Sequence, residues 1–120
     1  MAKRHSRGPR HKYSAEEVVF RVLNNALLYR VCEVVFGSDE LLHATYVAKK
    51  LNINPGYAYI LLKKLEKWGV LKGMKDPVNG KLAFKPSTSK VAQLLAEEIR
   101  KRKAKEIEEY IVSSTKVLPS

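Results

Sequence analysis

Apolar positions recur with a helical period over most of the chain and with a strand period in one short stretch, and turn-forming residues mark where one pattern yields to the next. In residues 55–68, Ala58, Leu61, Leu62, Leu65 and Trp68 fall on one face, which predicts a helix buried on that side. Both of its ends are written locally. Asn54 is a good N-cap, Pro55 suits the first helical position, and Gly69 supplies the left-handed residue that closes a helix. Upstream, residues 42–51 (LHATYVAKKL) predict a shorter helix with Val47, Ala48 and Leu51 turned inward and Ile53 filling the turn that follows. Downstream, residues 70–74 and 81–85 read as two strands joined by the turn sequence DPVNG.

Two further helices flank this segment. Residues 14–36 open with a capping box, Ser14 with Glu17, and continue as one long helix with apolar residues on at least two faces. A helix apolar on two faces is expected to bury more than one small domain can cover, so Val19, Leu23, Leu27 and Val31 are assigned to a subunit interface. Pro86 ends the hairpin, and Ser87 or Ser89 starts a last helix running to about residue 112. Its stripe of Val91, Leu94, Leu95, Ile99, Ile107, Tyr110 and Ile111 is interrupted at Arg102 and Lys103. At about 24 residues it would be roughly 36 Å long, more than the small domain covers, so Leu95, Ile99, Ile107 and Ile111 join the interface.

This order of elements is that of a winged helix-turn-helix. The expected fold class is mainly α with a small β-hairpin wing, in which the long N- and C-terminal helices form a dimer. Three regions follow: a basic arm at 1–13, the winged helix-turn-helix with its N-terminal dimerisation helix at 14–86, and a C-terminal dimerisation helix with a tail at 87–120.

The net charge of +11 is unevenly spread, and the spread bears on function. Residues 1–13 carry five basic side chains and no acid, residues 14–40 are net acidic, and residues 41–86 carry nine basic side chains against two acidic ones. Such segregation favours a defined polyanion footprint over general stickiness. The arm (MAKRHSRGPRHKY) has no apolar periodicity and is expected to be disordered when free, with Lys3, Arg4, Arg7, Arg10 and Lys12 available to phosphates or a minor groove. The outward face of the 55–68 helix offers Tyr57, Ile60, Lys63, Lys64 and Lys67. Lys49 and Lys50 leave the preceding helix where such an element crosses a phosphate backbone, and Lys72, Lys75, Lys81 and Lys85 charge the wing.

Other chemistries find little support. The single cysteine, Cys32, sits in an apolar helix and reads as an inert core thiol suited to a reducing compartment. His5, His11 and His43 form no metal-ligand spacing with it, and His43 is expected to fill a partly buried position. There is no apolar run long enough to span a membrane and no signal-peptide pattern, so a cytoplasmic, nucleoid-associated protein without membrane contact is expected. No glycine-rich phosphate loop, nucleophile–base spacing or ligand cluster points to an enzyme, and no cofactor or metal is implied.

The run LHATYVAKKLNINPGYAYILLKKLEKWGVLKG, and within it LLKKLEKWGVL, resembles the winged helix-turn-helix regulators of the PadR and MarR groups. The resemblance covers about 45 of the 120 residues; it implies a homodimeric DNA-binding protein whose Tyr57, Ile60, Lys63 and Lys64 face the major groove. FKPSTSKVAQLL departs from the threonine and glycine signature usual after the wing, and Ile60 stands where arginine is frequent. Isoleucine can touch a thymine methyl but cannot read guanine. Three readings follow: a dimeric transcriptional regulator on double-stranded DNA, an architectural binder of low sequence specificity, and a winged helix that docks a protein in a transcription or replication assembly. A low glutamine content beside abundant Lys, Glu, Val and Ile also looks like thermophile usage and fits an archaeal protein.

Overall fold

The computed structural model describes residues 13–117, with side chains as far as residue 112. Its elements in chain order are α1 (Ala15–Leu23), α2 (Ala26–Phe36), α3 (Ala44–Leu51), α4 (Pro55–Lys67), β1 (Leu71–Lys75), β2 (Leu82–Pro86) and α5 (Lys90–Val117). The basic positions Lys3, Arg4, Arg7, Arg10 and Lys12 lie outside the described residues.

The first difference from expectation is at residues 24 and 25. One helix was expected over 14–36, and the structure has two. Asn25 Oδ1 accepts from the backbone N–H groups of Leu27 and Leu28, both at 3.1 Å, and so caps the start of α2. Asn24 Nδ2 donates to the Phe20 carbonyl at 2.9 Å and closes α1. The break changes what the apolar pattern means. Val18 and Val22 of α1, and Leu28, Val31, Cys32 and Val35 of α2, all enter the same core. Residues that would lie on two faces of one rod are one face each of two shorter rods. The burial inferred for a partner is therefore largely supplied within the chain.

That core is completed by Val47 of α3, Leu61, Leu62 and Leu65 of α4, Phe84 of β2, and Val91, Leu95 and Ile99 at the start of α5. Val31, Leu95 and Ile99 were expected at a subunit interface; they are buried in the chain's own core and have almost no surface to offer a second copy. The candidates that keep surface are the half-buried Val19, Leu23 and Leu27, with Ile107 and Ile111 farther along α5. Arg102, where the α5 stripe breaks, lies over the Tyr29 ring of α2 at 5.2 Å. Beyond it the helix exposes Ile107 and Tyr110, at 60% and 72% of their surface.

The helix-turn-helix closes as its local signals require. Asn52 ends α3 in the left-handed region, and Asn54 Oδ1 accepts from Gly56 and Tyr57 N–H at 2.7 and 3.3 Å. Gly69, at φ +82°, turns the chain out of α4. Its carbonyl accepts from Ser89 Oγ at 2.6 Å, and that hydroxyl oxygen in turn accepts from Ala92 N–H at 3.2 Å. Ser89 rather than Ser87 thus starts α5 and ties that start to the end of α4. The strands β1 and β2 pair antiparallel, with Gly73 opposite Phe84 and Lys72 opposite Lys85. The second difference is at Leu42, expected to begin α3. It instead forms a bridge to Phe84, its N–H and C=O bonding Phe84 O and N at 2.9 and 2.8 Å. A third, one-residue edge thereby joins the wing to the segment leading into α3.

Candidate nucleic-acid interface

The wing is tied to the helix-turn-helix at two further points, and each uses one of the only two acidic residues between positions 41 and 86. Glu66, near the end of α4, accepts from Gly73 N–H at 3.2 Å through Oε2 and from Lys63 Nζ at 2.8 Å through Oε1. Gly73 suits this contact because a Cβ there would stand 2.8 Å from Glu66 Oε2. Asp76, at the start of the wing turn, accepts from Val78 N–H at 2.9 Å and lies 2.9 Å from His43 Nε2. His43 Nδ1 is 3.2 Å from the Leu82 carbonyl. His43 is half-buried, as expected, and holds the turn against the start of α3.

These contacts set the local charge. The Val78 N–H, followed by His43, holds the Asp76 carboxyl below its ordinary value of 3.8. The Glu66 bond raises the Lys63 ammonium above its ordinary 10.5. Both acids are thus engaged by protein donors, while Lys49, Lys50, Lys64, Lys67, Lys72, Lys75, Lys81 and Lys85 are exposed and in no ion pair among the described residues. The surface from α3 through the wing therefore presents positive charge outward with its negative charge turned inward.

On α4, Ala58, Leu61, Leu62 and Leu65 are buried, while Tyr57, Ile60, Lys63, Lys64 and Lys67 are exposed as their spacing predicts. Ile60 exposes 59% of its surface. Lys64 Nζ lies 5.6 Å from the centre of the Trp68 ring. Tyr59 was missed in the sequence: it is partly exposed between Tyr57 and Ile60, its ring edge-on to Phe84 at 6.5 Å. Its place one turn before Lys63 was the available signal. Lys72 and Lys85 sit directly across the ladder, where like charges repel unless an anion lies between them. Tyr13, the last residue of the arm, meets Trp68 edge-on at 6.0 Å, and the Arg21 guanidinium lies 4.1 Å over its ring. Tyr13 therefore stands beside the C-terminal end of α4.

Other chemistry is sparse in the described residues. No group of three or more His, Cys, Asp or Glu there is arranged to hold a metal, and no helix there is long and apolar enough to cross a membrane. Cys32 is fully buried, and desolvation pushes its thiol up to about 12.

No protein-family model and no curated protein matches the sequence. Solved structures do match in fold. The adhesin competence repressor of Streptococcus pyogenes superposes with a TM-score of 0.61 at 21% identity, over 88% of this chain and 85% of that one. A homodimeric winged helix-turn-helix DNA-binding domain from Mycobacterium bovis, described as a possible ArsR-family transcriptional regulator, gives 0.60 at 17% identity, over 80% and 83%. TubR of Bacillus thuringiensis, solved bound to 24 bp of tubC, gives 0.62 at 14% identity, over 78% and 99%. The chain has the winged helix-turn-helix fold of these proteins.

Proposed function

We propose that the chain binds double-stranded DNA, with α4 in the major groove and the wing and the N-terminal arm on the flanking backbone, and that it acts as a homodimeric transcription regulator. The observation that carries this reading is the charge arrangement of residues 41–86. Nine lysines stand against two acids, and both acids are turned into the fold by Gly73, Lys63, Val78 and His43. A surface of this kind neutralises phosphates, and its wing is fixed to the helix that would enter the groove. The structural neighbours support the reading: one is a repressor, one is described as a homodimeric DNA-binding domain, and one was solved on DNA. Ile107 and Tyr110, exposed on the far half of α5, are the surface on which a second copy would pack.

One observation favours a second reading, an architectural binder with little base preference. The outward residues of α4 are lysine, tyrosine and isoleucine: none has the amide that reads adenine bidentately, and lysine meets guanine as a flexible point charge without arginine's fixed fork. Replacing Lys63 and Lys64 by alanine tests the shared claim. Duplex affinity should fall by a similar factor on every sequence, as loss of phosphate contacts requires. Unchanged affinity would remove α4 from the interface and favour a protein partner.

A further inference from the structure

An open cleft of about 780 Å³ lies between the α1–α2 corner and the outward side of α4. Four cations line it, and they are not equivalent. Arg21 pairs with Glu17 at 3.2 Å and Lys63 with Glu66 at 2.8 Å, whereas Lys64 and Lys67 have no carboxylate partner among the described residues. Phe20, 65% exposed, lines the same cleft and stacks on no other ring among the described residues, and Trp68 lies in the cleft wall beneath Lys64. The corner itself adds an amide pair. Asn24 spends its Nδ2 on the Phe20 carbonyl and Asn25 its Oδ1 on the α2 cap. Asn24 Oδ1 and Asn25 Nδ2 are left, one acceptor and one donor on neighbouring residues, with no hydrogen bond among the described residues.

We propose that this cleft binds a nucleotide unit, with its phosphate on Lys64 and Lys67, its base against Phe20, and the base edge read by the Asn24–Asn25 amides. An aromatic face, an unpaired dication and a donor–acceptor pair are together what a nucleoside phosphate needs, and more than a bare anion or an apolar molecule would use. The unit is a free nucleotide or an unstacked residue of a single strand. Lys64 and Lys67 also belong to the proposed duplex surface, so nucleotide and duplex compete; that consequence rests on the duplex reading, and cleft binding itself does not.

Trp68 is the only tryptophan of the chain, so its fluorescence reports the cleft directly. The full chain is titrated at constant ionic strength with adenosine monophosphate, adenosine, inorganic phosphate, and an oligodeoxyadenylate of about eight nucleotides. Saturable quenching by the monophosphate, at least about tenfold tighter than by phosphate or adenosine and weakened about tenfold in Phe20→Ala, is expected for a free nucleotide. Tighter quenching by the oligonucleotide, equally lost in Phe20→Ala, identifies a strand as the source. Phosphate as effective as the monophosphate, a Phe20→Ala protein indistinguishable from the parent, or no saturable quenching by any of the four overturns the proposal. Failure of the duplex reading shows instead as an absence of duplex binding, with the quenching intact.

Discussion

Glu66→Ala removes the only acidic side chain of α4 and with it the acceptor for Gly73 N–H. That donor is part-buried at the base of the wing, and its loss leaves it unsatisfied, a cost of about 1–1.5 kcal/mol. For a domain of this size such a change lowers the melting temperature by roughly 5–10 °C. Glu66→Gln keeps an oxygen facing Gly73 and should recover most of the loss. Gly73→Ala reaches the same state from the other side, because its Cβ would stand 2.8 Å from Glu66 Oε2 and displace the carboxylate. The two substitutions break one bond, so the Glu66→Ala, Gly73→Ala double variant should be no less stable than Glu66→Ala alone, apart from a small adjustment of the Leu82 methyl at 3.3 Å. Thermal unfolding of the four proteins by circular dichroism measures this cycle. Additive losses in the double variant would refute the clamp. The clamp also holds Lys63, so on duplex DNA Glu66→Ala should steepen the salt dependence by up to about one phosphate's worth of log–log slope, roughly 0.9.

The remaining expectations concern pH, assembly and the arm. Because Asp76 is held below its ordinary 3.8 in the folded chain, its stabilisation is complete above that value and is lost as pH falls through the lower, folded one. Acid unfolding below about pH 4 should therefore become shallower in Asp76→Asn, and an unchanged acid limb would show that other carboxyls dominate. Ile107→Glu, at an exposed site on α5, should convert a dimer to a folded monomer in sedimentation equilibrium; a dimer that persists would place the contact elsewhere. Deleting residues 1–12 should lower duplex affinity and reduce the salt slope, by at most about 0.9 for each of the five lost cations that meets a phosphate.

What could be read from the sequence is what is encoded locally. Asn54, Pro55 and Gly69 bracket α4 within a few residues of its ends, and the 3.6-residue recurrence from Ala58 to Leu65 gives its buried face without reference to the rest of the chain. The exposed lysines of α4 followed from the same periodicity. The break at Asn24–Asn25 is also a local capping signal, since asparagine before an apolar run is a standard N-cap, but the continuous apolar pattern on both sides outweighed it. That reading inflated the interface, assigning to a second subunit the burial of Val31, Leu95 and Ile99 that α2 and α5 accomplish inside one chain.

The contacts of Leu42, Glu66 and His43 were not legible for a different reason. Leu42 meets Phe84 and His43 meets Asp76 across more than 30 residues of sequence, and neither periodicity nor propensity carries such a pairing. Glu66 is closer to Gly73, seven residues away, yet its role depends on the hairpin folding back on α4. These three contacts turn a charged loop into a wing of fixed position and set which charges face outward. The exposed lysines of the proposed interface were legible in the sequence, but the contacts that turn its two acids inward were not.

On the proposed reading, this positive surface holds duplex DNA. It is tested most directly by fluorescence-anisotropy titration of a duplex of about 25 base pairs across a series of salt concentrations, with the parent protein and with Lys63→Ala, Lys64→Ala. Log affinity should fall linearly with log salt for the parent, and the double variant should bind more weakly with a slope shallower by as much as roughly 1.8. Binding that is absent, insensitive to salt, or identical in the two proteins would contradict it.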